Sequence, residues 1–242
     1  MTNSQETPAR PEPQWGIGDA LLGLLVANLA AAVIGSAILA AAGYSGVKAD
    51  HYPLWLIAVT QVPLWFGYVG SVVVAGRLRG NGVLEDFRLW VDARIDIALG
   101  VAVGLASQFL LVPVISAPWI MMLHKHTKDL DKVARNLTDK ANDPLGVILL
   151  VLILVIGAPI VEELFFRGLL LRSLERQIGS AWAIVVSGLI FGAIHFELLQ
   201  LPALAAFGML LAYLAVRFDR LGPSICAHMT FNAATVVLLL TR

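Results

Sequence analysis

The sequence predicts an all-α fold, a polytopic transmembrane helical bundle of about seven spans within a range of six to eight. Three observations predict it. Of 242 residues 58% are apolar and only 14% charged, against about 45–50% and about 25% in soluble globular chains. Long runs without Asp, Glu, Lys or Arg recur along the chain, each able to cross roughly 30 Å of hydrocarbon as a helix. The single cysteine, Cys226, can form neither an internal disulfide nor a thiolate metal cluster, so packed helices must supply the stability. The 17 basic and 17 acidic residues cancel, leaving no net field to gather nucleic acid.

The first 15 residues, rich in Pro, Gln, Glu and Thr, cannot bury enough apolar area to offset their chain entropy and read as a disordered tail. Ala20 to Gly43 is uncharged and lacks the basic flank of a signal peptide, so it reads as an uncleaved first span. Leu54 to Gly76 and Ile97 to Met122 are the second and third. A polar segment follows, in which Lys125 to Asn142, with Asp129, Asp131, Asp139 and Asp143 around its basic residues, is expected to form a helix outside the membrane. The fourth span begins near Leu145 and runs into Glu162, Glu163 and Arg167 without a turn signal. Ser180 to Phe196, Leu201 to Val216 and Leu221 to Leu240 complete the seven, the fifth and sixth being short. No repeat is visible, and the chain divides into the tail (1–15), three N-terminal spans with the polar loop (16–144) and a C-terminal core (145–242).

Lys and Arg near span ends favour the cytoplasmic side. With the N-terminus inside, ten of the 17 basic residues are cytoplasmic, among them Arg10, Arg77, Arg79, Arg172 and Arg176, against seven outside that include Arg242. Ala30, Ala31, Ala32 and Gly35 in the first span, and Gly67 and Gly70 in the second, suit close helix contact. Pro63, Pro113, Pro118 and Pro159 are expected to kink their helices.

Ionisable side chains at hydrophobic depth are the informative ones, since each costs about 2.5–3.5 kcal/mol or more unless paired or hydrated. They fall in three places: Glu162, Glu163 and Arg167; His195; and His228 with Asn232, whereas the first three spans contain none. Glu162 and Glu163 project about 100° apart and so should have different jobs. Glu163 and Arg167, four apart with the acid first, suit an intrahelical ion pair, while Glu162 meets only Phe166 four residues on and is left to act as acid, base or ligand. His228 and Asn232 share a helix face, as do Phe191 and His195, which sets an aromatic wall beside the second imidazole. By rise per residue, His228 lies ~10 Å, Glu162 ~10–15 Å and His195 ~22 Å from the cytoplasmic side, so all three can line one cavity if the fifth helix is tilted or short. Singly, each imidazole would read as an interhelix hydrogen bond and the acid–arginine set as a register-fixing ion pair. Together, three helices bringing polar groups into an otherwise apolar bundle read as a shared site.

Lesser candidates are Glu197 near a helix end, the His124/His126 pair in the polar loop, and Leu169, Leu170, Leu171 and Leu174 with Arg172 and Arg176, which suggest an amphipathic stretch at the membrane surface.

The motifs EELFFR at Glu162 to Arg167, FGAIH at Phe191 to His195 and HMTFN at His228 to Asn232, in that order on separate expected spans, resemble the CPBP family, the CAAX protease and bacteriocin-processing family of intramembrane proteases, with its Rce1-like type II CAAX prenyl endopeptidases. The resemblance covers about Leu145 to Leu240. It implies an endopeptidase in a bacterial plasma membrane, with a site open to the cytoplasm and membrane-associated peptides or proteins as substrates. Carried over residue by residue, Glu162 would activate water, Glu163 and Arg167 would support it, and His195 would help hold the water. His228 and Asn232 would stabilise the oxyanion. Alternatively, Glu162, His195 and His228 could supply a His₂Glu zinc set, although no HExxH is present. Intramembrane Glu and His also serve proton- or ion-coupled transporters, and the same cavity could hold a peptide without cleaving it, as in an immunity protein.

Overall fold

The computed structural model describes residues 12–126 and 132–241; the tail before residue 12, with Arg10, and Asp129, Asp131 and Arg242 lie outside the described residues. The described residues form a helical bundle of an integral membrane protein, with spans α1 (Ile17–Ala41), α2 (Leu54–Leu78), α3 (Ala93–Met122), α4 (144–178), α5 (180–193), α6 (Leu201–Phe218) and α7 (Gly222–Leu240). By length and hydropathy six helices can cross a membrane, because Pro144–Ala193 is one hydrogen-bonded run of 50 residues. A straight helix of that size would be about 75 Å long, more than twice the hydrocarbon thickness. It turns at Gly179, whose φ of 73° suits a residue without Cβ, so the two expected spans are the arms of one bent element. The second arm, α5, ends at Ala193, short of the expected Phe196, whose left-handed φ of 55° turns the chain away from helix. His195 therefore stands just beyond the helix end.

Two of the four prolines distort their helices through a shared device. Proline removes one backbone N–H and crowds the carbonyl four residues earlier. α3 widens into a π-helical turn over Ser107–Leu111 just before Pro113, and α4 does so over Val151–Gly157 just before Pro159. A second π-helical turn, Leu164–Leu170, follows Glu163 at once, so the short α-helical piece carrying Glu162 and Glu163 is flanked by wide turns on both sides. Pro63 and Pro118 sit within regular α-helix.

Close approach between helices is set by small residues. Gly67 faces Ala27 and Gly23 faces Ser71 where α1 and α2 cross, so the contact lies earlier in α1 than the expected Ala30–Ala32 stretch, of which Ala32 is exposed. A Cβ added at Gly35 or Gly70 would meet no other helix within 4 Å. Gly100 and Gly104 bring α3 against Cys226, Ala227, Thr230 and Phe231 of α7, two helices running parallel in register. A Cβ at Gly104 would stand 2.6 Å from the Ala227 carbonyl oxygen, so Gly104→Ala is expected to destabilise the bundle by about 1–3 kcal/mol. A lowered detergent melting temperature checks this, with Gly70→Ala as the silent control.

The end of the bundle at which α1 begins is closed by polar ties. Asp96, fully buried at the start of α3, receives Arg220 through Nε at 3.0 Å and Nη2 at 2.8 Å, which pins α3 to the α6–α7 turn and raises the Arg220 guanidinium above its ordinary range. Residues 12–15 of the expected tail are described, and they are tied down. Arg176 donates to the carbonyls of Pro13 and Trp15 and lies over the Trp15 ring at 3.8 Å, while the Trp15 indole donates to Asp86. Trp15 packs on Phe87, ring centres 4.9 Å apart, and both are part of the main core. Leu169, Leu170, Leu171 and Leu174 are all buried in the main core, which corrects their expected place on the membrane surface. At the opposite end, among the described residues of the expected Lys125–Asn142 helix, Lys132–Thr138 is helical; Asn136 and Lys140 bond Asp50 in the α1–α2 connection. His124 and His126 are exposed there.

Candidate active site

The site grows from α4. Between its two wide turns, Glu163 points into the bundle and is completely buried, as is Arg167 one turn on. Two such charges are tolerable in an apolar interior only if each is met by partners. Arg167 Nη1 donates to Glu163 Oε1 at 2.8 Å, Nη2 donates to the Gly208 carbonyl of α6 at 3.0 Å, and the guanidinium carbon lies 4.4 Å from the Phe191 ring centre. The expected i, i+4 ion pair is therefore present, and it also ties α4 to α5 and α6. Glu163 Oε2 and Arg167 Nε bond to no described residue.

α7 brings His228 to the same carboxylate. Its Nδ1 lies 2.9 Å from Glu163 Oε1; beside the guanidinium the carboxylate accepts, so Nδ1 carries a proton and the Nε2 edge is left for other chemistry. The ring is walled edge-on by Phe191 at 5.8 Å and Phe207 at 5.6 Å. Glu163 is thus the shared acceptor of two motifs distant in sequence, a contact that intrahelical spacing alone could not show.

His195 is positioned by the end of α5. A continuing helix would send the His195 N–H to the Phe191 carbonyl. Instead the last turn tightens, with His195 N bonding Gly192 O at 3.4 Å and Phe196 N bonding Ala193 O at 3.1 Å. The Phe191 carbonyl so released is met by His195 Nδ1 at 2.7 Å. A carbonyl only accepts, so here too Nδ1 holds the proton and Nε2 has the lone pair. The half-buried imidazole stands edge-on to Phe191, centroids 4.9 Å apart. Phe191 therefore touches Arg167, His195 and His228 with one ring and fixes His195 through its backbone, a larger part than the aromatic wall its spacing suggested.

Asn232, one turn beyond His228, donates through Nδ2 to the Leu154 carbonyl at 2.7 Å. Leu154 lies in the π-helical turn before Pro159, where the backbone ladder is disturbed, so Asn232 supplies a donor that the helix itself does not. Its second amide hydrogen remains. Glu162 alone of the six candidates is uncommitted: it is half-buried, and its carboxylate hydrogen-bonds to no described residue. Three helices thus gather Glu163, Arg167, His228 and Phe191 into one contact set, with His195 joined through Phe191 and Asn232 through α7.

The zinc set expected from Glu162, His195 and His228 fits this arrangement poorly. Among the described residues no three His, Cys, Asp or Glu side chains are grouped as metal ligands would be. Glu163 and the Phe191 carbonyl take up the Nδ1 edges of His228 and His195, which leaves the Nε2 edges, through which either ring would bind a metal, open.

All three motifs fall within residues 144–234, which match the family described as "Type II CAAX prenyl endopeptidase Rce1-like". This segment is Rce1-like. A 92-residue stretch is 32% identical to the Bacillus subtilis (strain 168) protein named "Putative membrane peptidase YdiL", covering 38% of this chain and 38% of that relative's own length. No solved structure matches the chain. The Rce1-like segment comprises α4 to α7 down to residue 234, so it holds every candidate residue, while α1 to α3 and the polar ties around them lie outside the match.

Asp96 and Gly208 were passed over in the sequence. Asp96 sits at the edge of an apolar run, and Gly208 contributes only a carbonyl, for which a side-chain search has no signal.

Proposed function

We propose that the protein is an intramembrane endopeptidase of CAAX-protease type, hydrolysing peptide bonds of membrane-associated peptides or proteins at a site open to the cytoplasm of a bacterial cell. The observation that carries the reading is the division of labour at the paired glutamates in the Rce1-like segment. Glu163 is locked between Arg167 and His228, whereas Glu162 beside it is left with an uncommitted carboxylate.

In this mechanism Glu162 takes a proton from a water that also donates to the Nε2 lone pair of His195. The oxygen attacks the scissile carbonyl carbon; a C–O bond forms and the carbonyl π pair moves onto oxygen as an oxyanion. His228 in its imidazolium form, supported at Nδ1 by Glu163, donates Nε2–H to that oxyanion, and Asn232 donates its second amide hydrogen. Collapse breaks the C–N bond, and the Glu162 carboxylic acid returns its proton to the leaving amine. Arg167 holds Glu163 and hence His228 in place without touching the reacting atoms. Each step uses groups of this chain and water alone.

Comparative membrane proteomics of cells carrying wild type, Glu162→Gln or His228→Ala tests the reading. Protein or peptide termini that appear with wild type and vanish with both variants are expected. If no terminus depends on either residue while proteoliposomes of the protein carry an ion flux that survives Glu162→Gln, a transporter is the better description. In an in vitro assay on a cleaved substrate, a strong chelator is expected to leave the rate within about twofold, and about tenfold activation by added zinc, a 1.4 kcal/mol effect on the barrier, would refute the metal-free route.

A further inference from the structure

The polar face of α7 continues past the site. Residues 228, 232 and 235 project within about 60° of one another, so Thr235 lies along the same stripe as His228 and Asn232, one turn nearer the end of the bundle at which α7 finishes. There it meets α3. The Thr235 hydroxyl is 3.0 Å from Gln108 Oε1 and 3.1 Å from the Phe231 carbonyl of its own helix.

Gln108 is unusual in three respects. It is the one carboxamide of α3, next to the buried Ser107, with the exposed Leu105 and Phe109 beside it along the helix. It sits in the π-helical turn Ser107–Leu111, where the register of α3 shifts by part of a turn. And its carbonyl is engaged by Thr235, whereas its amide nitrogen, with two hydrogens, bonds to no described residue and the side chain is half-buried. A helix-packing role would be complete only with the donors used, because an unused amide donor at this depth is unfavourable. Thr235 instead holds the carboxamide by its oxygen and so directs the two N–H groups away from α7.

A peptide cleaved inside a membrane must expose an extended stretch, and each carbonyl so released from its helix needs a donor where water is scarce. We infer that Gln108, held by Thr235, is a substrate-binding residue whose amide N–H groups bind a backbone carbonyl of the unwound peptide, a subsite one turn along α7 from Asn232. The inference rests on the peptidase reading above. It assigns a substrate contact to α3, outside the Rce1-like segment, and commits to an extended peptide backbone as the chemistry recognised. The side chains of the substrate play no part in it.

The test uses the full chain in nanodiscs with Glu162→Gln to prevent turnover. The probe is a fluorescein-labelled Leu/Ala-rich transmembrane peptide with a central Gly-Gly pair, together with its thioamide analogue, in which the central carbonyls are replaced by weaker acceptors. Adding Gln108→Met, which keeps the length and removes the amide, is expected to weaken binding of the amide probe about tenfold, the scale of one hydrogen bond in a membrane. Thioamide replacement should weaken binding to the protein that keeps Gln108 but have little further effect once Gln108→Met is present, a coupling that a merely structural role of Gln108 would not produce. Thr235→Val should reproduce part of the loss. Equal binding with and without the Gln108→Met substitution, no coupling to the thioamide, or no binding of the probe at all overturns the inference. Cleavage of the amide probe by the protein with Glu162 intact is scored separately: Gln108-dependent binding without cleavage sustains the subsite and removes the peptidase reading, whereas cleavage with Gln108-independent binding does the reverse.

Discussion

Arg167→Leu should destabilise the protein by about 3–5 kcal/mol, the largest stability effect expected of any single substitution in the bundle. The side chain is fully buried and three things depend on it at once. Without the guanidinium, Glu163 is left as a buried acceptor facing His228 alone, the Gly208 carbonyl loses its donor, and Phe191 loses the cation stacked on its face. The cost is that of stranding the partners rather than the net worth of the pair, since a buried ion pair replaced as a unit can be nearly neutral. Arg167→Lys should recover only part of it: an ammonium is a point charge, whereas the planar guanidinium reaches Glu163 through one nitrogen and Gly208 through another. Thermal unfolding in detergent, read by helical circular dichroism, checks the series. An unchanged melting temperature for Arg167→Leu would show that the guanidinium does not hold α4 to α6.

Glu162→Gln is expected to do the opposite, leaving the melting temperature unchanged while lowering kcat by about 10²–10⁴-fold, the range general-base catalysis supplies. The contrast follows from the partners of the two neighbours. Glu162 hydrogen-bonds to nothing among the described residues, so the amide breaks no hydrogen bond; it removes the ability to take a proton and a charge that acts on Arg167. Glu163→Gln, by comparison, should lower both stability and rate, because one carboxylate oxygen accepts from Arg167 and His228 together. Steady-state kinetics on a cleaved peptide beside the melting curves separates the cases. A Glu162→Gln protein with wild-type kcat would end the assignment of Glu162 as base, and one that fails to fold would end the assignment of Glu163 as the structural partner.

Much of the candidate site was legible because a membrane makes polarity expensive. Glu162, Glu163, Arg167, His195 and His228 stand out where almost everything else is apolar, and helical spacing alone paired Glu163 with Arg167. Spacing along one helix says nothing of what comes from another. The Glu163–His228 bond joins residues 65 apart in sequence, and the Gly208 carbonyl that completes Arg167 has no side chain to announce it. Gln108 escaped for a different reason. A search for ionisable groups passes over a neutral amide, although an amide at hydrophobic depth also needs partners. The leucines after Arg167 were misplaced because their pattern with Arg172 and Arg176 is that of an interfacial helix; they are buried in the main core, which also holds Trp15 and Phe87 and is not visible in that pattern.

The proportions of apolar and charged residues determined the solvent, the all-helical class and the sparse set of groups able to do chemistry, because in hydrocarbon the backbone must satisfy itself and every charge needs a partner or water. Tertiary structure decided how those groups divide their work. The π-helical turn before Pro159 offers the Leu154 carbonyl that sets Asn232, the tightened end of α5 releases the carbonyl that sets His195, and packing of α4, α5, α6 and α7 around Phe191 commits one glutamate while leaving its neighbour open. Adjacent residues of identical chemistry differ only in what the fold places opposite them, and partners contributed by distant helices leave no trace in the local sequence.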